Sequence, residues 1–187
     1  MSVIIDVRGR YVREARDRAR DRNESYKQRE SYQRRIEELD RHPEIDNMIG
    51  VVGEVAFAEY ADLQIDSGVY TTGDGGIDFR AQIGGEKLTI DMKARTGDLS
   101  YFWVKEDSLE ADYYVLGHLT APIDFDETTL DEIDTLEGWT VELIGTATKD
   151  EFLEARRIDS DFGYVNRSIL LEDLHPVPSS DDIVEYD

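Results

Sequence analysis

Two short runs of strand-like residues around a Gly-Gly pair constrain this chain more than any other stretch. Residues 75–94 have the sequence GGIDFRAQIGGEKLTIDMKA, which predicts a β-hairpin with the second Gly-Gly pair as its two-residue turn. Pairing outward from that turn places Asp78 directly opposite Asp91. Opposed residues share one face of a hairpin, and Lys93 shares it because alternate residues of a strand point the same way.

The predicted hairpin has two chemically different faces. One is apolar and carries Ile77, Phe79, Ile90 and Met92, whereas the other carries two carboxylates and an ammonium. Carboxylates about 5 Å apart repel by about 3 kcal/mol at an effective dielectric of about 20, so such a pair needs compensation. Lys93 supplies one positive charge, and Mg²⁺ or Mn²⁺ bound by oxygen ligands would supply more. The alternative is a solvated polar face on an acid-rich protein.

A mostly apolar helix is predicted upstream, over about residues 46–61, with Asp46 or Asn47 as its cap. Glu54 shares a face with apolar neighbours three and four residues away, so its carboxylate needs a partner or a proton. Gly50 and Gly53 disfavour helix, and close approach of this helix to a sheet would explain both. The alternative for Glu54 is a position at the rim of a core helix.

This combination of motifs resembles the PD-(D/E)XK nuclease superfamily, which has the restriction-endonuclease-like fold. The resemblance comprises the helical Gly53-Glu54, the Gly-Gly-x-Asp that ends at Asp78, and Asp91-x-Lys93, and it covers roughly residues 46–148. One departure is the proline of the superfamily name, which is absent before Asp78.

The resemblance implies an α/β fold with a central mixed β-sheet flanked by helices. It also implies that Asp78 and Asp91, with the Met92 carbonyl, ligate Mg²⁺ or Mn²⁺. Lys93 would position or activate the attacking water, and Glu54 would help to hold the metal, directly or through water.

Composition limits the remaining possibilities. The chain has 187 residues, 43 acidic and 21 basic residues, no cysteine and a net charge of -22. An excess of surface acids with few lysines resembles proteins of salt-in halophilic archaea and their viruses, and dense counterions would screen the self-repulsion. The three scattered histidines do not match a zinc motif. We expect a protein of a high-salt cytoplasm, since no signal peptide and no apolar run of about 18 residues is present.

The first 41 residues carry the opposite charge balance, with 12 basic and 9 acidic residues against 9 and 34 in the remainder. A long helix is predicted over residues 10–41, since this segment lacks glycine and proline. Its arginines would contact the backbone of DNA, as would Arg95, which is in phase with Lys93. Alternatively, the helix is solvated and laced with ion pairs, or is a dimerisation arm. The residues named for DNA contact are Arg13, Arg16, Arg20, Arg34, Arg35 and Arg95.

Further along the chain, buried strands are predicted over residues 111–119 and 139–147, joined by an acidic, solvated insertion at 121–138. Tyr101 and Trp103 would pack in a core or an interface, or else stack on bases. The glycine-rich loop at 71–76 would bring backbone close to the site, with Asp74 as a turn residue or an outer ligand. The predicted organisation is a charged helical arm (1–43), a nuclease-like domain (44–175) and an acidic tail (176–187).

The sequence therefore predicts a metal-dependent nuclease that acts on DNA and has no membrane-spanning segment. It is also compatible with a homodimer. The alternative is a nuclease-like fold without catalysis, used for DNA binding or for assembly.

Overall fold

The computed structural model describes residues 2–26, 43–65, 76–160 and 163–186. Its helices are α1 (Val12–Tyr26), α2 (Pro43–Ala61) and α3 (Lys149–Glu154). Its strands are β1 (Val3–Asp6), β2 (Phe79–Ile83), β3 (Glu86–Arg95), β4 (Tyr101–Lys105), β5 (Tyr113–Thr120), β6 (Thr140–Thr148), β7 (Arg156–Asp159), β8 (Val165–Leu170) and β9 (Ile183–Glu185). The second half of the predicted long helix, with Arg34 and Arg35, lies outside the described residues, as does Asp74.

The β2–β3 hairpin forms with the expected register. Its pairs run from Ile83 opposite Glu86 to Phe79 opposite Ile90. Both turn glycines have positive φ, 60° at residue 84 and 93° at residue 85. A tight hairpin turn of this kind needs positive φ at both central positions, and glycine adopts it without strain. The prediction of this hairpin is confirmed.

Six strands form a mixed sheet in the order β1-β6-β5-β3-β2-β9. Strands β3 and β5 are parallel, and the other neighbouring pairs are antiparallel. The prediction of an α/β fold with a mixed sheet flanked by helices is confirmed. The strand predicted over residues 111–119 is also confirmed, since β5 is an interior strand of this sheet.

Helices α1 and α2 cover one face of the six-stranded sheet. Ala15 and Ala19 of α1 are fully buried in the core on this face. A Cβ added at Gly53 of α2 would lie 2.5 Å from the Ala94 Cβ of β3, so glycine permits this close approach. The prediction for Gly50 is wrong, because among the described residues a Cβ there would meet Arg22 of α1, at 3.9 Å, and no strand.

A second, antiparallel sheet, β4-β8-β7, contributes to a smaller core. Phe102 of β4 and Tyr114 of β5 each make an edge-to-face contact with Phe152 of α3, at centroid distances of 5.0 and 5.1 Å. Because strand residues alternate, Tyr101 and Trp103 point away from this core and are exposed. Of the predicted places for these two aromatic residues, a core or an interface, the core is wrong.

Two other expectations fail for related reasons. The acidic connection 121–138 is not simply solvated, because Leu130, Ile133 and Leu136 are buried in the core under α2. The C-terminal residues 176–187 are not a loose tail, because β9 pairs with β2 and buries Ile183. In both segments a few buried apolar residues attach a mostly acidic stretch of chain to the core.

Candidate active site at the open end of the hairpin

Asp78 lies where the ladder between β2 and β3 ends. Its backbone N–H donates to the Ile90 carbonyl at 2.8 Å, although the ladder register would pair it with Asp91. The Asp78 side chain is also bound to β3, since its Oδ2 accepts the Met92 N–H at 2.8 Å. Ile77 packs into the smaller core, so the predicted apolar face of the hairpin does not include it.

Asp91 and Lys93 point away from α2, because their neighbours in β3 alternate with them and pack under that helix. Asp91 is completely buried, and its Oδ1 lies 2.6 Å from Lys93 Nζ. Gly76 brings backbone close to this pair. It has φ +72°, and a Cβ there would lie 3.4 Å from Asp91 Oδ2. A side chain at residue 76 would be strained and would crowd the carboxylate.

The two carboxylates and the ammonium perturb one another. Burial, followed by the charge of Asp91, raises the pKa of Asp78 to about 8. Burial alone would lower the pKa of Lys93. The negative charges of Asp91 and Asp78 outweigh this effect, so the pKa of Lys93 lies above its ordinary value. Lys93 is therefore held as a cation, while Asp78 resists ionisation in the absence of further positive charge.

Glu54 of α2 is buried and bound by an arginine of α1. Arg22 Nη1 and Nη2 donate to Glu54 Oε1 and Oε2 at 2.7 and 2.8 Å. This two-pronged geometry is among the strong forms of ion pair. The charge of Arg22 also opposes the rise in the pKa of Asp78. The expectation that Glu54 needs a partner is confirmed.

Arg22 is the functional candidate that the sequence analysis missed, although the sequence holds a signal for it. The small-residue stripe of Ala15 and Ala19 continues at helical spacing to Arg22 and Asn23. Asn23 is buried, and its amide donates to a carboxylate of α2 at 2.7 Å. Both polar residues therefore lie on the face of α1 that packs against α2, where a polar side chain needs a partner.

The other predicted arginines of α1 lie elsewhere. Arg16 lies 3.6 Å from Asp131 and 3.9 Å from Asp134, and Arg20 is also paired with Asp131. The acidic connection thus binds the helix that was expected to meet DNA, as the alternative of a helix laced with ion pairs describes. Arg13 is exposed.

Arg95, at the end of β3, stacks on an aromatic ring. Its guanidinium carbon lies 4.4 Å from the centroid of the Trp103 ring, and its Nη1 donates to the Ala94 carbonyl at 3.0 Å. It is two residues beyond Lys93 on the same face of the strand. Of the six arginines predicted to contact DNA, Arg95 is the one that shares a strand with Lys93.

The oxygen donors suit a hard divalent cation, but the set is small. In the described part of the chain, no three acidic, histidine or cysteine side chains are grouped so as to hold a metal ion. Asp78 and Asp91 would be the carboxylate ligands, beside the implied Met92 carbonyl, while Arg22 binds both oxygens of Glu54. Magnesium often binds through one or two carboxylates and several waters. The residues present therefore fit Mg²⁺ or Mn²⁺, with Glu54 acting through water or through Arg22.

Comparison with known proteins gives no assignment: the chain matches no family model, no curated protein and no solved structure. No helix among the described residues is both long and apolar enough to cross a membrane. The functional conclusion therefore depends on the residues and distances given above.

Proposed function

We propose that this protein is a metal-dependent nuclease that hydrolyses DNA phosphodiester bonds and has a restriction-endonuclease-like fold. The observation that carries the proposal is the fully buried Asp91, with Lys93 Nζ 2.6 Å away and the partly buried Asp78 beside it, whose pKa Asp91 raises. Asp78 resists ionisation beside Asp91 unless more positive charge is present, and a divalent cation would supply that charge to both carboxylates.

Each residue has a distinct part in this mechanism. A bound Mg²⁺ or Mn²⁺ would polarise the phosphate and acidify a bound water. Asp78 and Asp91 orient the site, and the Met92 N–H fixes the Asp78 carboxylate. Because its pKa is raised, Lys93 remains cationic. It is therefore better suited to orient the water and to offset charge on the phosphate than to remove a proton.

The second shell of the site comes from the two helices. Arg22 holds Glu54 in a fixed orientation through two hydrogen bonds. In this orientation Glu54 would help to hold a hydrated metal ion, and Arg22 would add positive charge for a bound phosphate. In this way α1 would contribute to catalysis through one inward-facing arginine, Arg22. The proposal also includes contacts with DNA by Arg13, Arg16, Arg20 and Arg95.

The test is cleavage of linear, circular and branched DNA in molar KCl with Mg²⁺, Mn²⁺ or EDTA. We expect metal-dependent cutting, reduced at least about 100-fold in Asp91→Asn and Lys93→Met. Asp131→Asn is the matched control, because it changes an exposed carboxylate that pairs with α1. Full activity in a folded Asp91→Asn protein would overturn the proposal.

A second candidate function is DNA binding or assembly by a nuclease-like fold without catalysis. The observation in its favour is that Arg22 already binds both oxygens of Glu54, the third acid of the proposed site. Metal-independent binding of DNA, without cutting by the folded protein under any of the conditions above, would support it. A homodimer and a halophilic, cytoplasmic origin, archaeal or viral, belong to the same set of proposals.

A further inference from the structure

The outer face of the three-stranded sheet exposes a cluster of large apolar side chains. Tyr101 and Trp103 of β4 are 44% and 39% exposed, and Leu170 of β8, directly opposite Tyr101, is 40% exposed. The remaining strongly exposed large apolar residues of the described chain lie on other elements, namely Ile4, Leu153 and Val184. We call the cluster of Tyr101, Trp103 and Leu170 the aromatic face.

The charged side chains at the outward positions of this sheet are positive. Trp103 is opposite Ser168, which is in turn opposite Arg156, so these three side chains share one side of the sheet. Lys105 follows Trp103 on the same side. The outward positions of the three strands include no aspartate or glutamate, in a chain with 43 of them; they are Tyr101, Trp103, Lys105, Arg156, Ile158, Asn166, Ser168 and Leu170.

The aromatic face is continuous with the candidate active site. Arg95 follows Lys93 by two residues, about 7 Å along the same face of β3. Its guanidinium lies over the Trp103 ring at 4.4 Å. The path from Asp91 through Lys93 and Arg95 to Trp103 therefore leads from the buried carboxylates to the exposed rings, with cations between them.

We infer that the aromatic face binds single-stranded nucleic acid, whose bases stack on Trp103 and Tyr101 while its phosphates meet Arg95, Lys105 and Arg156. Stacking needs bases with free faces, which a duplex does not offer, and it tolerates any sequence. It also depends less on charge than phosphate contacts do, which matters for a protein of net charge -22 in strong salt. The inference rests on the proposed function, since it names the substrate class of that site.

The experiment is equilibrium binding of a fluorescent single-stranded oligothymidylate in EDTA and molar KCl, followed by anisotropy. EDTA removes cutting, so the result does not depend on nuclease activity. We expect Trp103→Ala to weaken binding about tenfold, Tyr101→Ala to weaken it further in combination, and Trp103→Phe to restore most of the affinity. Val184→Ala, a matched exposed residue on β9, should bind as the parent protein does.

Equal affinity of the parent and the folded Trp103→Ala, Tyr101→Ala double variant would overturn the inference, as would equal binding of the same sequence in duplex form. A parent dimer that the double variant disrupts, without binding of the oligonucleotide, would assign the aromatic face to contact between two copies instead. If the protein binds the oligonucleotide but does not cut it once Mg²⁺ is restored, the proposed nuclease activity is wrong and the inference about the aromatic face stands. If Trp103→Ala cuts as fast as the parent protein, the nuclease proposal stands and the inference about the aromatic face is wrong.

Discussion

Two clusters of ion pairs connect α1 to the rest of the molecule, and they differ chiefly in burial. The inner cluster consists of Arg22 with Glu54 between the two helices, and of Asp78, Asp91 and Lys93 on the hairpin. The outer cluster joins α1 to the acidic connection, and it consists of Arg16, Arg20, Asp131 and Asp134. The side chains of Glu54 and Asp91 are 6% and 1% exposed, against 81% and 91% for the two outer aspartates.

The comparison shows that residue type alone does not make a site in an acid-rich protein. Exposed ion pairs are worth about 0–1 kcal/mol, because water and salt screen them. Buried charges keep a large desolvation penalty, so removal of one partner has a large cost and a bound cation has a large benefit. The same chemical groups therefore act as surface charge in one place and as a candidate site in the other.

The largest expected effect comes from the arginine that closes the inner cluster. Arg22→Met leaves Glu54 buried without its partner, so we expect a loss of about 3 kcal/mol in the free energy of unfolding. Arg16→Met, on the same helix, should lose less than about 1 kcal/mol. Urea denaturation of both variants in molar KCl measures the difference. Equal losses would show that burial does not separate the two clusters.

The next effect is a gain of stability with a characteristic pH dependence. Because the pKa of folded Asp78 is raised to about 8 from 3.8, the metal-free protein loses stability as pH rises between these values. Asp78→Asn removes this loss, so its advantage over the parent protein should grow steadily as pH rises towards 8.

Asp112→Asn is the control for that measurement, because its shift has the opposite sign. Hydrogen bonds from Thr89 lower the pKa of Asp112, whose stabilising contribution is therefore present above its ordinary pKa and lost as pH falls. Thermal unfolding between pH 5 and pH 8 in EDTA follows both variants, and the effect of Asp112→Asn should stay constant because this range lies above the ordinary pKa of Asp112. An Asp78→Asn advantage that does not change with pH would contradict the assignment of a raised pKa.

Much of the inner cluster was predictable because local rules determine it. A Gly-Gly turn fixes the register of the hairpin as far as Phe79 opposite Ile90, and Asp78, Asp91 and Lys93 follow just beyond that pair. The apolar surroundings of Glu54 within its own helix showed that it needed a partner. These features depend on sequence separations of a few residues, where turn geometry and periodicity apply.

The identity of the partners was not predictable in the same way. Arg22 meets Glu54 across 32 residues, and Arg20 meets Asp131 across 111. Only the packing of α1 on α2 and on the acidic connection decides which arginine points inward. Leu130 and Ile183 show the same limit, since each attaches an acidic segment to a distant part of the core. A long-range contact of this kind leaves no periodic pattern in the sequence.

Divalent cations provide a third way to separate the clusters. If Asp78 and Asp91 hold Mg²⁺, millimolar MgCl₂ should raise the unfolding temperature of the parent protein by a few degrees, equivalent to about 1–2 kcal/mol. The gain should disappear in Asp91→Asn and persist in Asp134→Asn, whose carboxylate is in the outer cluster. KCl without magnesium, at equal ionic strength, controls for general screening. An identical gain in the parent and in Asp91→Asn would place the cation elsewhere.

The smallest effect tests the outer cluster itself. Asp131 pairs with both Arg16 and Arg20, so Asp131→Asn removes two ion pairs with one substitution. Because the carboxylate is 81% exposed, we expect a loss below about 1 kcal/mol, and it should vanish in molar KCl, where charges are screened within about 3 Å. The inner cluster should keep its effect in the same salt, because buried charges are screened much less. Denaturation of Asp131→Asn and Arg22→Met at low and high KCl therefore measures burial directly. A loss for Asp131→Asn that persists in molar salt would mean that the outer pairs also hold α1 in place.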